Sequence, residues 1–465
     1  MNIHPTWLRL APVAAAMAAV AAMAVWLHSA APAPSKRVPV AHPTPAVRKG
    51  PVRGGAGAQE GLRDGGGVAS KHPGDWPQFR GPKGDNVALN ANPIPRSWPA
   101  GGPRVLWRVP VGEGHAGAAI HKGSIYLIDY DREKQMDAIR RLSLEDGAEI
   151  WRYAYPVEIK RNHGMSRTIP AVDDRFVLTL GPKCHVYCLD AESGALLWKK
   201  DLVAEHGSVV PPWYAGQCPI LDNGRAILAP GAKPLMMAVD AATGQTVWET
   251  KEFEDAGMTH ASIATIEFGG VRQYLYAATQ GLISVAADDG RVLWNKPDWR
   301  IKIANIPTPI PIGDGRIFLV GGYDAGCAMI RLEGGNGKAI THLELFRLKQ
   351  KDFGSHQQTP VLYEGYIYGV ATTGELVCLD LEGKRRWTSG AVRFGLGPYL
   401  IVDGVILALE DQSGILRMVE ATPKAYTELA SAKLLNGHDA WAPMAVAEGW
   451  LVLRDLTEMI CVDLR

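Results

Sequence analysis

From Asp75 to Arg465 the chain is a succession of short apolar runs cut by Gly, Asp, Glu and Asn turns. One stretch shows the pattern. Thr359-Pro360-Val361-Leu362-Tyr363 meets the turn Glu364-Gly365, and Tyr366-Ile367-Tyr368-Gly369-Val370 follows. After Thr373-Gly374-Glu375 come Leu376-Val377-Cys378-Leu379-Asp380, a second tight turn and Lys384-Arg385-Arg386-Trp387. Short runs rich in β-branched and aromatic residues, bounded by turn residues, predict four strands here and no helix.

The closing Trp recurs. Glu145-Asp146-Gly147 precedes Trp151, Asp190 to Gly194 precedes Trp198, and Asp240 to Gly244 precedes Trp248. Asp288-Asp289-Gly290 precedes Trp294, and Asp380 to Gly383 precedes Trp387. The Gly-to-Trp offset is always four residues, and from Trp151 to Trp294 the Trp returns every 46 to 50 residues. A fixed local offset inside a long period marks a repeat architecture, and four strands in a repeat of about 40–50 residues describe a propeller blade. The acidic residue opens the turn by bonding its own backbone, and the Gly takes the left-handed position. The Trp falls on the outer strand, where a large flat ring can wedge between neighbouring blades.

Inner strands are expected near 117–120, 168–172, 218–221, 261–266, 307–312, 359–362, 398–402 and 442–446. In the fifth set Phe346 stands in for Trp after an insertion, Leu332 to Leu345, and in the seventh Tyr426 is the candidate. The eighth set ends at Cys461-Val462-Asp463-Leu464-Arg465 without an outer strand, while Val105-Leu106-Trp107-Arg108-Val109 forms an orphan outer strand ahead of the first. Joining the two closes the ring and leaves no inter-blade face open. The expected fold is therefore an all-β, eight-bladed propeller of four-stranded antiparallel blades, with seven blades as the alternative. Its blade-docking residues are Trp107, Trp151, Trp198, Trp248, Trp294, Phe346 and Trp387.

Ala238-Val239-Asp240-Ala241-Ala242-Thr243-Gly244-Gln245-Thr246-Val247-Trp248 closely approaches Ala-x-Asp-x-x-Thr-Gly-x-x-x-Trp. On that motif residues 75–465 resemble the pyrroloquinoline-quinone-like (PQQ-like) propeller superfamily. The opening Asp75-Trp76-Pro77-Gln78-Phe79-Arg80-Gly81-Pro82 also looks like the first segment of envelope propellers of this kind. The resemblance implies one of two classes: non-catalytic BamB-like envelope scaffolds, or quinoprotein dehydrogenases that carry PQQ and Ca²⁺. Fold alone does not choose between them.

Composition bounds the partners. The hydrophobic share of 47% and 51 Gly suit a turn-rich β protein, and a net charge of +1 argues against a nucleic-acid or membrane-surface footprint. Residues 1–30 carry an apolar run, Leu8 to Leu27, broken only by Arg9 and followed by Ala31-Pro32-Ala33. Both a cleaved signal peptide and an uncleaved inner-membrane anchor fit this pattern, and both export the propeller to the periplasm or cell envelope. A lipoprotein is excluded, because the first Cys is Cys184. Residues 31–74, rich in Pro, Ala and Gly with Lys and Arg, read as a disordered linker. The membrane is thus met only through the N-terminal segment, and the propeller is expected to be monomeric.

Six Cys in an exported chain raise the question of disulfides. Cys188, Cys378 and Cys461 occupy one repeat position in three blades, where Ala238 stands in a fourth, so they read as small packing residues too far apart to pair. Cys184 and Cys188, four apart, read as one strand face. The pairing of Cys184, Cys218 and Cys327 stays open, and no essential disulfide is expected.

A quinoprotein dehydrogenase needs hard oxygen ligands for Ca²⁺, a carboxylate base and, in many members, an adjacent Cys pair. No two Cys are adjacent here, and Asn162, Asn305 and Asp439 are scattered. No catalytic residue, metal site or cofactor is therefore expected, with PQQ and Ca²⁺ as the alternative. Gly112-Glu113-Gly114-His115-Ala116-Gly117 lacks a following helix and reads as the turn into the first blade rather than a dinucleotide loop. His115, His163, His260, His356 and His438 precede inner strands, with Arg167, Trp213, Tyr214, Gln217, Asn305, Gln357, Gln358 and Trp441 in the same zone. This zone borders one mouth of the channel. It reads either as a funnel for a ligand, anion or metal, or as an ordinary wet rim. The function expected is a non-enzymatic exported scaffold that binds other envelope proteins or peptide segments, with a quinoprotein oxidoreductase or its relic as the alternative.

Overall fold

Eight antiparallel sheets follow one another along the chain in a computed structural model that describes residues 59–465 except 254. Blades 1 to 7 span 119–156, 171–201, 220–249, 264–296, 310–348, 361–388 and 399–433. Blade 8 takes Ala445–Ala447, Trp450–Arg454 and Glu458–Asp463 from the C-terminus and its outer strand, Arg104–Pro110, from the N-terminal side. The ring closes as the orphan strand predicts, and the count is eight. The described helix is a single turn, Leu202–His206.

Local chemistry sets the hairpins. In blades 1, 3, 5, 6, 7 and 8 the first two strands join through a residue-Gly pair with both φ positive, as at Asp403-Gly404 (49° and 76°). This two-residue turn matches the twist of the strands it connects. The hydrophobic clusters lie between neighbouring blades: one joins blades 2 and 3, the next blades 3 and 4, and so on to a seam uniting blades 7, 8 and 1.

The recurrent Trp binds forward. The indole N–H of Trp151 donates to Glu192 O, Trp198 to Ala241 O and Trp248 to Ala287 O, each in the following blade. Trp107 and Trp387 do the same with Leu144 O and Thr422 O. The turn glycine of the next blade is the floor beneath Trp107, Trp151, Trp198 and Trp248: a Cβ on Gly244, at φ +70°, would lie 2.8 Å from Trp198. Phe346 lies over Gly383 in the same way. Trp294 differs, giving its N–H to Gln273 of its own blade and meeting His342 edge-on, because blade 5 carries the long hairpin Gly326–Gly335 to Lys338–Leu348 in place of the tight turn.

Three expectations change. Tyr426 is not the seventh docking residue: the register pairs Met418 with Ala430, as it pairs Cys188 with Trp198, and Tyr426 instead packs edge-on against Trp387 of blade 6. Cys184 lies in a turn at φ 68°, ahead of the strand His185–Asp190, so it shares no strand face with Cys188. The described end of the expected linker is held on the propeller. Gly61–Asp64 adds a fifth strand to the outer edge of blade 1, Glu60 accepts from Tyr153 and Lys199, and His72 stacks on Trp450 at 3.8 Å. A sheet edge offers unpaired backbone groups, and this segment satisfies them. The apolar run Leu8 to Leu27 and the remainder of the linker lie outside the described residues. Among the described residues no helix is long and apolar enough to cross a membrane.

All six thiols are free and buried. Burial pushes Cys188 and Cys378 up to about 12 and raises Cys461 as well, so they are inert packing groups. Cys188, Cys378 and Cys461 each pair with a docking Trp, and Ala238 pairs with Trp248, as the repeat phase requires.

Candidate functional site

The segment 76–88 reaches into the hub. Trp76 bridges Ile120 of blade 1, Val172 N–H donates to Pro77 O, and Val87–Ala88 runs parallel to the inner strand of blade 7. Arg80, buried, donates to Thr359 O at 2.9 Å and Pro360 O at 3.0 Å in blade 6. Phe79 lines two cavities, one of about 300 Å³ at the mouth and one of about 540 Å³ beyond, so this plug divides the channel.

The segments leading into the inner strands form the wall of the mouth cavity. His115, His163, Arg167, His260, Gln357 and Trp441 line it, with Trp213, Gln358, Tyr323 and the apolar Ile169, Ile306 and Pro443. Five expected residues lie elsewhere, among them Tyr214, whose hydroxyl donates to Lys160 O. Gln217 is buried, and its amide pairs with the backbone N–H and C=O of Ala229 in place of a strand neighbour. Asn305 donates to Ala277 O inside blade 4. His356 sits in a small niche against Tyr323, and exposed His438 pairs with Asp439 at 3.0 Å.

His115 is held from three sides. Its N–H donates to Ser166 O, its Nε2 meets His163 O at 2.9 Å, and its ring stacks on Trp441 at 4.6 Å. Burial lowers its pKa to about 3, with Arg167 and Arg454 adding repulsion, so the imidazole is neutral and its Nε2–H donates. Trp441 is fixed in turn by Asp411, which accepts its indole N–H.

Arg167 ties two approach loops together. Its Nε donates to Trp213 O, and its Nη2 donates to Asn162 O and His163 O. Burial lowers its pKa to about 10, which leaves it cationic at neutral pH. No carboxylate lies within ion-pair distance of it among the described residues. The residues it holds are conformationally unusual: His163, Trp213 and Tyr214 have φ of 52°, 66° and 71°, as does Tyr323 across the mouth at 54°. Non-glycine residues in this region cost about 1–3 kcal/mol each and gather where structure serves a site.

The family model described as outer membrane protein assembly factor BamB matches residues 135–389 and again 255–442. The chain belongs to this family of PQQ-like propellers. It is 22% identical over 330 residues to the BamB of Moranella endobia, covering 69% of this chain and 70% of that protein. With BamB of Yersinia pestis the identity is 24% over 302 residues, 54% of this chain and 74% of that one. Among solved structures, BamB from Moraxella catarrhalis superposes with a TM-score of 0.54 at 11% identity, covering 77% of this chain and 99% of that chain. A quinohemoprotein alcohol dehydrogenase from Pseudomonas putida gives 0.56 at 11% identity over 85% and 81%. These likenesses establish the fold.

The dehydrogenase fold implies PQQ with Ca²⁺, and the hub residues can be tested against it. Ca²⁺ takes about 6–8 oxygen ligands, carboxylates prominent among them. No Asp or Glu lines the mouth cavity, and no group of three or more His, Cys, Asp or Glu suited to a metal occurs among the described residues. The residues present do not fit the cofactor.

Phe79 and Tyr323 are the aromatic wall residues that the sequence did not single out as part of the mouth. Phe79 lies in the recognised opening segment, but nothing local points that segment at the hub. Tyr323 lies between two strands of blade 5 and belongs to no approach loop.

Proposed function

We propose that this chain is a non-enzymatic, exported binding protein of the cell envelope, engaging other envelope proteins or peptide segments through its propeller. Its relatives are named outer membrane protein assembly factors, which supports an envelope role. The observation that carries the non-enzymatic reading is the hub itself: among the described residues, a mouth without a carboxylate, backed by a plug, offers neither a carboxylate base nor a Ca²⁺ cradle. The edges of the wheel offer a way to bind. Blade 1 already accepts an extended segment, Gly61–Asp64, as an added strand, while the outer strand of blade 5, Lys338–Leu348, exposes Leu343 and Leu345. Edge addition gives affinity through main-chain bonds and specificity through alternate side chains.

Photocrosslinking in intact cells tests this reading. A crosslinker at Leu345 is expected to give discrete adducts with periplasmic or outer-membrane proteins, and one in the buried seam at Leu407 is expected to give none. A propeller that fractionates with the cytosol, or gives no envelope adduct from any edge position, overturns it.

A further inference from the structure

We infer that the mouth cavity is a binding site for a small aromatic monocarboxylate, its flat ring among the aromatic walls and its carboxylate on Arg167. The site is formed by Phe79, Trp213, Tyr323 and Trp441, with Arg167 and His260 beside them. Its volume of about 300 Å³ lies at the lower end of small-molecule pockets, enough for one or two fused rings.

Charge selects the ligand. Arg167 spends Nε and Nη2 on backbone carbonyls, while its Nη1 makes no hydrogen bond to any described residue. The cavity wall holds no carboxylate to neutralise it, and buried Arg454 below bonds only to carbonyls. The nearby acids are taken: Asp439 by His438 and Gln412, and Asp411 by Trp441 and Leu396. A half-buried guanidinium without a counter-ion favours an anion, and its open Nη1 can donate a charge-assisted hydrogen bond to one carboxylate oxygen. The neighbouring imidazoles do not compete for the role. Burial holds His115 and His260 below the ordinary histidine range, with Arg167 adding repulsion. One guanidinium matches one carboxylate, which separates this ligand class from a tricarboxylate quinone. Trp213 and Tyr323, both at positive φ, are among the residues that line the cavity.

The test uses the purified full chain with 2-naphthoate and its neutral twin, 2-naphthamide, followed by calorimetry and tryptophan fluorescence. Saturable one-to-one binding of the acid is expected, about tenfold or more tighter than the amide, the margin of a charge-assisted hydrogen bond. Arg167→Gln should abolish that preference. Ile306→Trp, which fills the cavity and leaves Arg167 in place, should abolish binding of both. Equal binding of acid and amide, no binding of the acid at millimolar concentration, or binding that survives Ile306→Trp overturns the proposal. Should Arg167→Gln fail to fold, the acid–amide comparison and Ile306→Trp decide it. The outcome is separate from the crosslinking at the blade edges, so either reading can fail while the other stands.

Discussion

Trp198 lies over Gly244 of the next blade and donates its indole N–H to Ala241 O at 2.8 Å. The Gly–Trp offset was legible in the sequence because both residues sit on one hairpin. That the rings of Trp107, Trp151, Trp198 and Trp248 rest on the glycine of the following blade was not, because the contact crosses a blade boundary. The glycine is therefore needed twice, for its positive φ and for the missing Cβ. Trp198→Ala should cost about 3–5 kcal/mol, the range for removing a buried Trp, and Gly244→Ala should also destabilise; urea unfolding of both variants checks this. A second residue-scale prediction concerns Asp137, fully buried, which accepts from Tyr155 Oη and Ser166 Oγ. Burial raises its pKa from 3.8 to about 7. Below the unfolded value both states are protonated and its contribution is complete. As pH rises toward 7 the unfolded chain loses the proton while the folded one keeps it, and that contribution is lost. Asp137→Asn should therefore lose less thermal stability than wild type between pH 5 and pH 8, and equal losses would remove Asp137 as the cause.

At the scale of elements, the strands were readable and the two N-terminal straps were not. Inner strands begin up to three residues later than their apolar runs, as at Ala171–Val172 against 168–172, because the first residues of each run form the approach loop on the hub. Gly61–Asp64 carries no alternating apolar pattern; what makes it a strand is the free edge it meets. The plug is invisible for another reason: Arg80 reaches Thr359 across 279 positions. That guanidinium donates to four carbonyls, of Gly84, Asp85, Thr359 and Pro360, and is the pin of the plug. Arg80→Met should speed amide exchange across residues 76–88 while leaving the outer strands protected. Unchanged exchange there would mean that Trp76 and the pairing of Val87–Ala88 suffice.

The whole molecule is a ring whose seam joins the two ends of the propeller: Arg104–Pro110 pairs with Glu458–Asp463. A chain begun after residue 110 leaves that edge of blade 8 bare and Leu144 O without the Trp107 indole. It should lose its cooperative thermal transition and associate at micromolar concentration, which scattering during a melt would detect. Function was less legible than fold. The hub residues come from approach loops of unequal length, so His115, His163 and His260 share a cavity while His356 and His438, alike in sequence, do not. No Asp or Glu lines that cavity among the described residues, and the most direct test of the proposed non-enzymatic role is titration of the full chain with PQQ and Ca²⁺, read by absorbance, thermal shift and dye-linked alcohol oxidation. The expected result is no Ca²⁺-dependent stoichiometric binding and no oxidation. One-to-one, Ca²⁺-dependent PQQ binding accompanied by dye reduction would contradict it.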